Sequence, residues 1–296
     1  MTISYCSRIF ILGGVLAAFA ASCQGSEGSR NSLDRDCADL RLTPVLFVHG
    51  SGLDSTTWSP MIEEFRKAGY PGSFLQAIDL VPRDGDNIAA AKAQIAEAVE
   101  ALIDSVHRAR SQYGCPGLTP RARVDLVAHS MGAVSSRWYA KFISPESVRT
   151  LVTIAGANHG TDELCGRTGT GDSQLCPAFA KSAELSEIQV SLNGLPGGDI
   201  DETPYSSSPD PLDIESVYPT PSRLITYFSI RLDPDRWIVP AESALLSGAG
   251  SPAKSSQHFP ALQETSPGNF LFQRRVSHDD LPTDPAVIEF VRYLLD

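Results

Sequence analysis

Apolar runs of strand length alternate with amphipathic helical patterns along most of the chain. The strand-like runs cover residues 44–48, 74–80, 124–128, 151–155, 224–230 and 270–276. Helical patterns follow several of them, and the longest covers residues 88–113 and ends at Gly114. The last helix is expected to begin at Asp284-Pro285, since proline is favoured at the first helical position. The alternation predicts a single α/β domain over residues 41–296, in which helices cover both faces of a mostly parallel sheet.

Residues 157–223 interrupt this pattern, because they are rich in Gly, Ser, Pro and Asp. One short helix is expected near residues 179–192. So long an irregular insertion forms either a lid or pocket wall, or a solvated surface excursion.

The N-terminus has the features of an export signal. Residues 1–22 combine Arg8 with a short apolar stretch and small residues, too short a run for a membrane-spanning helix. Ala20-Ala21-Ser22-Cys23 resembles the lipobox of bacterial lipoproteins, which predicts lipidation of Cys23, with ordinary cleavage and release as the alternative. Residues 23–40 are polar and predict a flexible tether. We therefore expect an exported protein, either anchored in the cell envelope or secreted.

Four cysteines remain if Cys23 carries lipid, and an even number suits an oxidising compartment. Cys165 and Cys176 would close one loop, whereas Cys37 and Cys115 each precede a predicted strand and could meet at one end of the sheet. Four free thiols are the alternative. The spacings do not resemble those of a structural zinc site.

The charge of the chain argues against nucleic acid as a partner. The 296 residues carry a formal net charge of -11 and contain no long basic run. Binding to nucleic acid requires clustered Lys and Arg that neutralise phosphates. No feature of the sequence specifies an oligomeric state.

One pentapeptide contains a candidate nucleophilic serine. Ala128-His129-Ser130-Met131-Gly132 lies between a predicted strand and a predicted helix and fits the nucleophile elbow G-x-S-x-G, with Ala in the first position. Small residues two positions to either side allow a sharp turn that exposes the serine. The backbone N–H of Met131 can then face an oxyanion. A buried structural serine is the alternative.

The other components of a hydrolytic site have candidates at the ends of other predicted strands. Ser51, after His49-Gly50, is the candidate second oxyanion donor, or else part of a glycine-rich turn. His278 is the preferred base because it follows a strand-like run and precedes the last helix, whereas His258 lies in a serine-rich stretch. Asp233 and Asp235 both follow the run at 224–230, and either could orient the base.

These motifs together resemble the secreted bacterial lipases of the α/β-hydrolase superfamily, especially small lipases with alanine in the first elbow position. The resemblance covers residues 43–160 and 223–296 and rests on five segments, with a second departure from the lipase pattern, an insertion, at residues 251–269. They read VLFVHGSG, VDLVAHSMG, VTIAGANHGT, DRWIVPAESALLSGA and SHDDLPTDPAVIEFVRYLL. It implies a triad of Ser130, Asp235 and His278, with Asp233 as the alternative acid, and oxyanion donors at Ser51 and Met131.

The resemblance implies hydrolysis of carboxylic esters through an acyl-enzyme and without a cofactor, and acylglycerol lipids are the expected substrates. A short-chain esterase, a polyester depolymerase or an acyltransferase would use the same triad. An envelope lipoprotein that binds acyl chains without cleaving them is the non-catalytic alternative. Calcium stabilises some lipases of the superfamily, but Asp199, Asp201 and Glu202 are candidate ligands by composition only.

Overall fold

One sheet organises the molecule. The computed structural model describes residues 40–113, 122–178, 186–194, 202–206 and 225–296. Within these residues, seven strands pair in the order β2-β1-β3-β4-β5-β7-β6. They are β1 (Val45–Val48), β2 (Leu75–Ile78), β3 (Val124–His129), β4 (Val148–Ile154), β5 (Thr226–Arg231), β6 (Leu262–Ser266) and β7 (Asn269–Phe272).

All strand pairs are parallel except β6 with β7, which are antiparallel. The six predicted strands correspond to β1 to β5 and β7, so the predicted α/β fold class is confirmed. The sequence analysis missed β6, which lies within the second departure at residues 251–269. In β6 only Leu262 is buried and the next four residues are exposed, so this edge strand lacks the apolar run of a central strand.

Helices cover both faces of the sheet. They are α1 (Ser59–Lys67), α2 (Asn87–Ala89), α3 (Ala96–Tyr113), α4 (Met131–Phe142), α5 (Thr170–Ser173), α6 (Glu187–Asn193) and α7 (Pro285–Leu295). A π-helical segment, Ala90–Ile95, joins α2 to α3 and makes one continuous helical run. The predicted start of α7 is confirmed, and the side chain of Asp284 caps it by accepting a hydrogen bond from the backbone N–H of Ala286.

Two apolar cores lie on opposite faces of the sheet, because alternate residues of a strand point to opposite sides. Leu126 and Leu151 pack into the core beneath α3 and α4. Val127 and Val152, their neighbours along the same strands, pack into the core beneath α1 and α7. The central strands are therefore buried on both sides and are held rigidly, as a scaffold for the loops at their ends.

The described parts of the insertion at residues 157–223 contain short helices. Helix α6 falls within the range where a helix was predicted, although residues 179–185 lie outside the described part of the chain. Cys165 and Cys176 form a disulfide with their Cα atoms 5.0 Å apart. This bond was one of the pairings considered from the sequence, and it closes the loop before α6.

The predicted tether needs a correction at its end. Leu40 is buried, and the Nε of Arg110 donates a hydrogen bond to its carbonyl oxygen at 3.0 Å. The packed domain therefore includes Leu40, because burial of an apolar side chain lowers the free energy of the folded state. The predicted signal peptide, Cys23, Cys37 and Cys115 lie outside the described residues. None of the helices in the described ranges is long and apolar enough to cross a membrane.

Candidate active site

Ser130 occupies the turn between β3 and α4 in a strained backbone conformation. Its φ is 53° and its ψ is -122°, in a region that residues with a side chain rarely adopt. The turn is held by hydrogen bonds on both sides, from the Ser130 N–H to the Ile154 carbonyl at 3.0 Å and from the Ala133 N–H to the Ser130 carbonyl at 3.1 Å. The half-buried Ser130 is therefore fixed at the carboxyl edge of the parallel strands.

The small residues of this turn are required by the close approach of the loop after β1. A Cβ atom on Gly132 would lie 2.3 Å from the carbonyl oxygen of His49. A Cβ atom on Gly50 would lie 2.8 Å from the Cβ of Ser130. The absence of side chains at both glycines thus lets the loop that carries Ser51 lie against the start of α4, where the backbone N–H of Met131 is located.

His49 holds this loop in place as a neutral imidazole. Its Nδ1 donates to the Gly50 carbonyl at 2.8 Å, and its Nε2 accepts from the backbone N–H of Leu80 at 2.8 Å. Burial lowers the pKa of His49, which favours the neutral form that this pair of bonds needs. His49 therefore connects the loop after β1 to the loop after β2.

His278 pairs with Asp235. The Nδ1 of His278 donates to the two carboxylate oxygens of Asp235, at 2.9 and 3.0 Å. Asp235 also accepts from the backbone N–H groups of Trp237 at 2.7 Å and Ile238 at 3.2 Å. Both members of the pair are buried, with 4% of His278 and 7% of Asp235 exposed. The arrangement fixes the tautomer of His278 that leaves Nε2 free to accept a proton.

The alternative residues lie elsewhere. Asp233 is exposed and forms an ion pair with Arg231 at 3.2 Å. His258 is exposed in the loop before β6. The structure therefore brings Asp235, rather than Asp233, to His278.

His129 is a further residue of this region, which the sequence analysis considered only as a member of the pentapeptide around Ser130. The Nε2 of His129 donates to the backbone carbonyl of His278 at 3.1 Å, and the two ring centroids are 4.6 Å apart. Burial, with His278 close by, holds the pKa of His129 well below its usual value, so the ring is neutral. His129 thus joins the serine turn to the loop of His278. Only its position beside Ser130 hinted at this, since the contact spans 149 positions of the chain.

The insertion reaches the same region. The backbone N–H of Gly171 donates to the Asp84 carbonyl at 2.8 Å, and a Cβ atom on Gly171 would lie 2.8 Å from the Sδ of Met131. Two other residues of the insertion, His159 and Glu202, are hydrogen-bonded to each other, with 2.9 Å between Nε2 and Oε1. The part of the insertion around Gly171 is therefore packed onto the candidate oxyanion residue Met131 and is not a solvated excursion.

A cavity of about 340 Å³ opens beside the His278–Asp235 pair. It is lined by Leu232, Pro234, Asp235, Arg236, Trp237, Val276, Ser277, His278 and Asp279. Two loops, one after β5 and one after β7, thus supply its walls. Space for part of a ligand therefore exists next to the candidate base.

Of the three acidic residues that were candidate calcium ligands by composition, only Glu202 lies in the described part of the chain. No group of three or more His, Cys, Asp or Glu side chains with a metal-binding arrangement occurs there. The carboxylate of Glu202 is used by His159 and by the backbone N–H of Ser247 at 2.8 Å. Asp199 and Asp201 lie outside the described residues.

The chain is similar in sequence to one known protein family and to one known lipase. The palmitoyl protein thioesterase family matches residues 44–191, which include Ser51, Ser130 and Met131. A triacylglycerol lipase from Pseudomonas fragi is 27% identical over 120 residues, covering 40% of this chain and 36% of the lipase.

Two solved lipases are similar in structure at low sequence identity. Lipase B of Aspergillus fumigatus is 17% identical with a TM-score of 0.44, over 70% of this chain and 42% of the lipase. Lipase BlEst2 of Bacillus licheniformis, in its propeptide form, is 17% identical with a TM-score of 0.48, over 86% of this chain and 50% of the lipase. The matched part thus spans half or less of the length of each of these relatives.

Proposed function

Since the chain belongs to the palmitoyl protein thioesterase family, among the lipases and esterases of the α/β-hydrolase superfamily, we propose that it is a serine hydrolase that cleaves carboxylic esters of acyl chains. The observation that carries this proposal is the geometry around Ser130. A strained serine turn is joined through His129 to a buried His278–Asp235 pair. Strain of this kind persists where the surrounding structure imposes it, and it is common at catalytic serines.

In the proposed reaction, the Nε2 of His278 removes the hydroxyl proton of Ser130 while the serine oxygen attacks the ester carbonyl. The backbone N–H groups of Met131 and Ser51 stabilise the resulting oxyanion. His278 then delivers the proton to the leaving oxygen, and an acyl-enzyme remains on Ser130. Water, activated by the same histidine, releases the acid and restores the serine. Asp235 keeps His278 oriented and stabilises its charged form throughout.

Acyl esters of lipids, such as acylglycerols, are the proposed substrates. The Pseudomonas fragi relative supports them, because it is a triacylglycerol lipase. The family match supports acyl thioesters as a second candidate, since the family consists of thioesterases. Both classes present an acyl carbonyl to the same nucleophile, and they differ in whether oxygen or sulfur leaves.

The test is hydrolysis of 4-nitrophenyl esters of graded acyl length, beside acyl thiocholines of the same lengths. We expect turnover that falls by at least about 10³-fold in Ser130→Ala and in His278→Ala. The matched control is His258→Ala, which removes an exposed histidine from another loop and should keep wild-type kcat. Equal turnover in wild type and Ser130→Ala would exclude the mechanism, and inert wild-type protein that retains acyl chains would favour the non-catalytic lipoprotein.

Export and membrane contact also belong to this proposal. A lipid on Cys23 would hold the hydrolase at a membrane surface, near lipid esters. Mass spectrometry of the mature N-terminus, in wild type and Cys23→Ser, tests this point. A wild-type N-terminus without lipid would favour release into the medium.

A further inference from the structure

We propose that Arg236 and Arg167, both packed on Trp237, form a subsite for an anionic group on the leaving side of the substrate. The group would be a carboxylate, sulfonate or phosphate attached to the alcohol or thiol that departs. This inference rests on the proposed ester hydrolysis and adds the chemical class of the leaving group.

The two arginines approach one indole ring from different segments. The guanidinium carbon of Arg167 lies 4.6 Å from the ring centroid of Trp237, and that of Arg236 lies 5.0 Å from it. Arg236 is the residue after Asp235, whereas Arg167 belongs to the loop closed by the Cys165–Cys176 disulfide. The tertiary structure therefore brings two cations to one aromatic ring, which holds each guanidinium by a cation–π contact.

Trp237 is fixed relative to the catalytic candidates. Its backbone N–H donates to Asp235 at 2.7 Å, and its carbonyl accepts from the hydroxyl of Thr161 at 2.6 Å. Trp237 and Arg236 line the cavity that His278 and Asp235 also line. Because His278 must hand its proton to the leaving oxygen, the leaving group has to lie beside this histidine. A substituent on that group can then extend into the cavity toward Arg236 and toward Trp237, which Arg167 also contacts.

No nearby carboxylate pairs with Arg236 in the described part of the chain, so its guanidinium can bind an anion. Its side chain is exposed, and no ion-pair partner for it occurs among the residues that the structure describes. Arg167 is partly neutralised, since a carboxylate oxygen of Asp172 lies 3.7 Å from its guanidinium. Asp279 also lines the cavity and opposes an anion there. Two guanidinium groups that contact one ring repel each other, and an anion that binds Arg236 would reduce this repulsion and could accept bidentate hydrogen bonds.

The experiment compares two esters that share an acyl chain and have phenols of similar acidity, 4-(butyryloxy)phenylacetate and 4-methylphenyl butyrate. The measured quantity is the ratio of kcat/KM for the anionic ester to that for the neutral one. We expect Arg236→Gln and Arg167→Gln each to lower this ratio about two- to fivefold, the range for partly exposed charged pairs. The ratio should also fall as sodium chloride is raised, because salt screens exposed charges.

The matched control is Arg108→Gln. Arg108 is an exposed arginine of α3, a helix that packs against β1, β2 and β3, and the substitution changes the net charge by the same amount. The ratio should stay at its wild-type value in this variant. A ratio that is equal in wild type and both test variants, or that changes equally in Arg108→Gln, overturns the subsite.

A binding measurement separates this inference from the proposed reaction. Ser130→Ala protein is titrated with 4-hydroxyphenylacetate and with 4-methylphenol, and tryptophan fluorescence is followed. Tighter binding of the anion, lost in Ser130→Ala/Arg236→Gln, supports the subsite even if no ester is turned over. Equal affinity for the two phenols overturns it even if the enzyme is an active esterase.

Discussion

Asp233 and Asp235 are two residues apart and lie in different environments. Asp235 is buried, receives two backbone N–H groups and contacts His278, whereas Asp233 is exposed beside Arg231. A carboxylate that loses water needs such hydrogen bonds to remain charged. At the residue scale, burial with compensating donors therefore distinguishes the candidate triad acid from a surface acid.

Asp235→Asn is expected to lower kcat by about 10³- to 10⁴-fold, because an amide neither stabilises the imidazolium nor enforces the right tautomer of His278. The measurement is steady-state hydrolysis of the preferred nitrophenyl ester. Asp233→Asn is the matched control and should keep kcat within about twofold, as exposed ion pairs contribute little. The assignment fails if the two variants lose activity equally.

His129→Leu is expected to lower kcat about 10- to 100-fold with little change in KM. The substitution leaves the buried carbonyl of His278 without its donor, which costs about 1–3 kcal/mol, and frees the loop of the base. His129→Gln, whose amide can donate to the same carbonyl, should recover part of kcat. If thermal stability falls and kcat per folded molecule does not, His129 serves the fold alone.

At the scale of elements, the junction of β1, β3 and α4 has almost no free space. The start of α4 touches the loop after β1 through backbone atoms, and Gly132 makes this contact possible. Close packing of this kind cannot absorb an added methyl group without displacement of a neighbour. The position of α4 therefore decides both the shape of the serine turn and the place of the Ser51 loop.

Gly132→Ala is expected to destabilise the protein by about 1–3 kcal/mol or more, since the new Cβ would lie 2.3 Å from the His49 carbonyl oxygen. Gly72→Ala is the matched control, because the nearest heavy atom to its new Cβ is 3.9 Å away. Urea unfolding, followed by circular dichroism, gives both free energies. Equal stabilities would show that the loop after β1 can move away from α4 at no cost.

At the scale of the whole molecule, buried and partly buried polar groups attach the insertion to α4 and to the loop after β5. Arg137 of α4 donates to the carbonyl of Asn158 at 2.7 Å and to the side chain of Asn193 at 2.9 Å. Glu202 bonds to His159 at 2.9 Å and to the backbone N–H of Ser247 at 2.8 Å. These bonds join segments that are distant along the chain, and their strength depends on the charges that they involve.

The pH dependence of stability follows from Glu202. Burial opposes its ionisation, but the hydrogen bond from His159 and the charges of His159 and Arg137 outweigh burial, so the pKa of Glu202 is below its usual value of 4.5. A carboxyl group whose pKa is lower in the folded state contributes stability above the unfolded pKa and loses it as pH falls through the folded pKa. The free energy of unfolding should therefore decrease as pH falls below 4.5.

Glu202→Gln should make this decrease shallower in urea unfolding between neutral pH and about pH 3. Glu289→Gln, which changes an exposed glutamate of α7, is the control and should keep the wild-type slope. An unchanged slope in Glu202→Gln would assign the acid sensitivity to other carboxylates.

Strands and helices whose own residues form a clear apolar pattern could be predicted from the sequence. Central strands are buried on both faces, so β3 and β4 appear as continuous apolar runs, and Asp284-Pro285 marks the start of α7. The edge strand β6 was not predictable in this way, because the pairing that stabilises it comes from β7 rather than from its own burial.

The sequence by itself determined the order of the strands other than β6, the alternation of strands and longer helices, and the strand-serine-helix context of Ser130, since these depend on residues within a few positions of one another. Only the tertiary structure decided that Asp235 rather than Asp233 faces His278, that His129 supports the loop of His278, and that Arg167 and Arg236 share one tryptophan. Except for the contact between the neighbours Arg236 and Trp237, these contacts join residues that are 43 to 149 positions distant from each other in the chain. Their geometry depends on the paths of whole loops, which no local pattern of apolar and polar residues encodes.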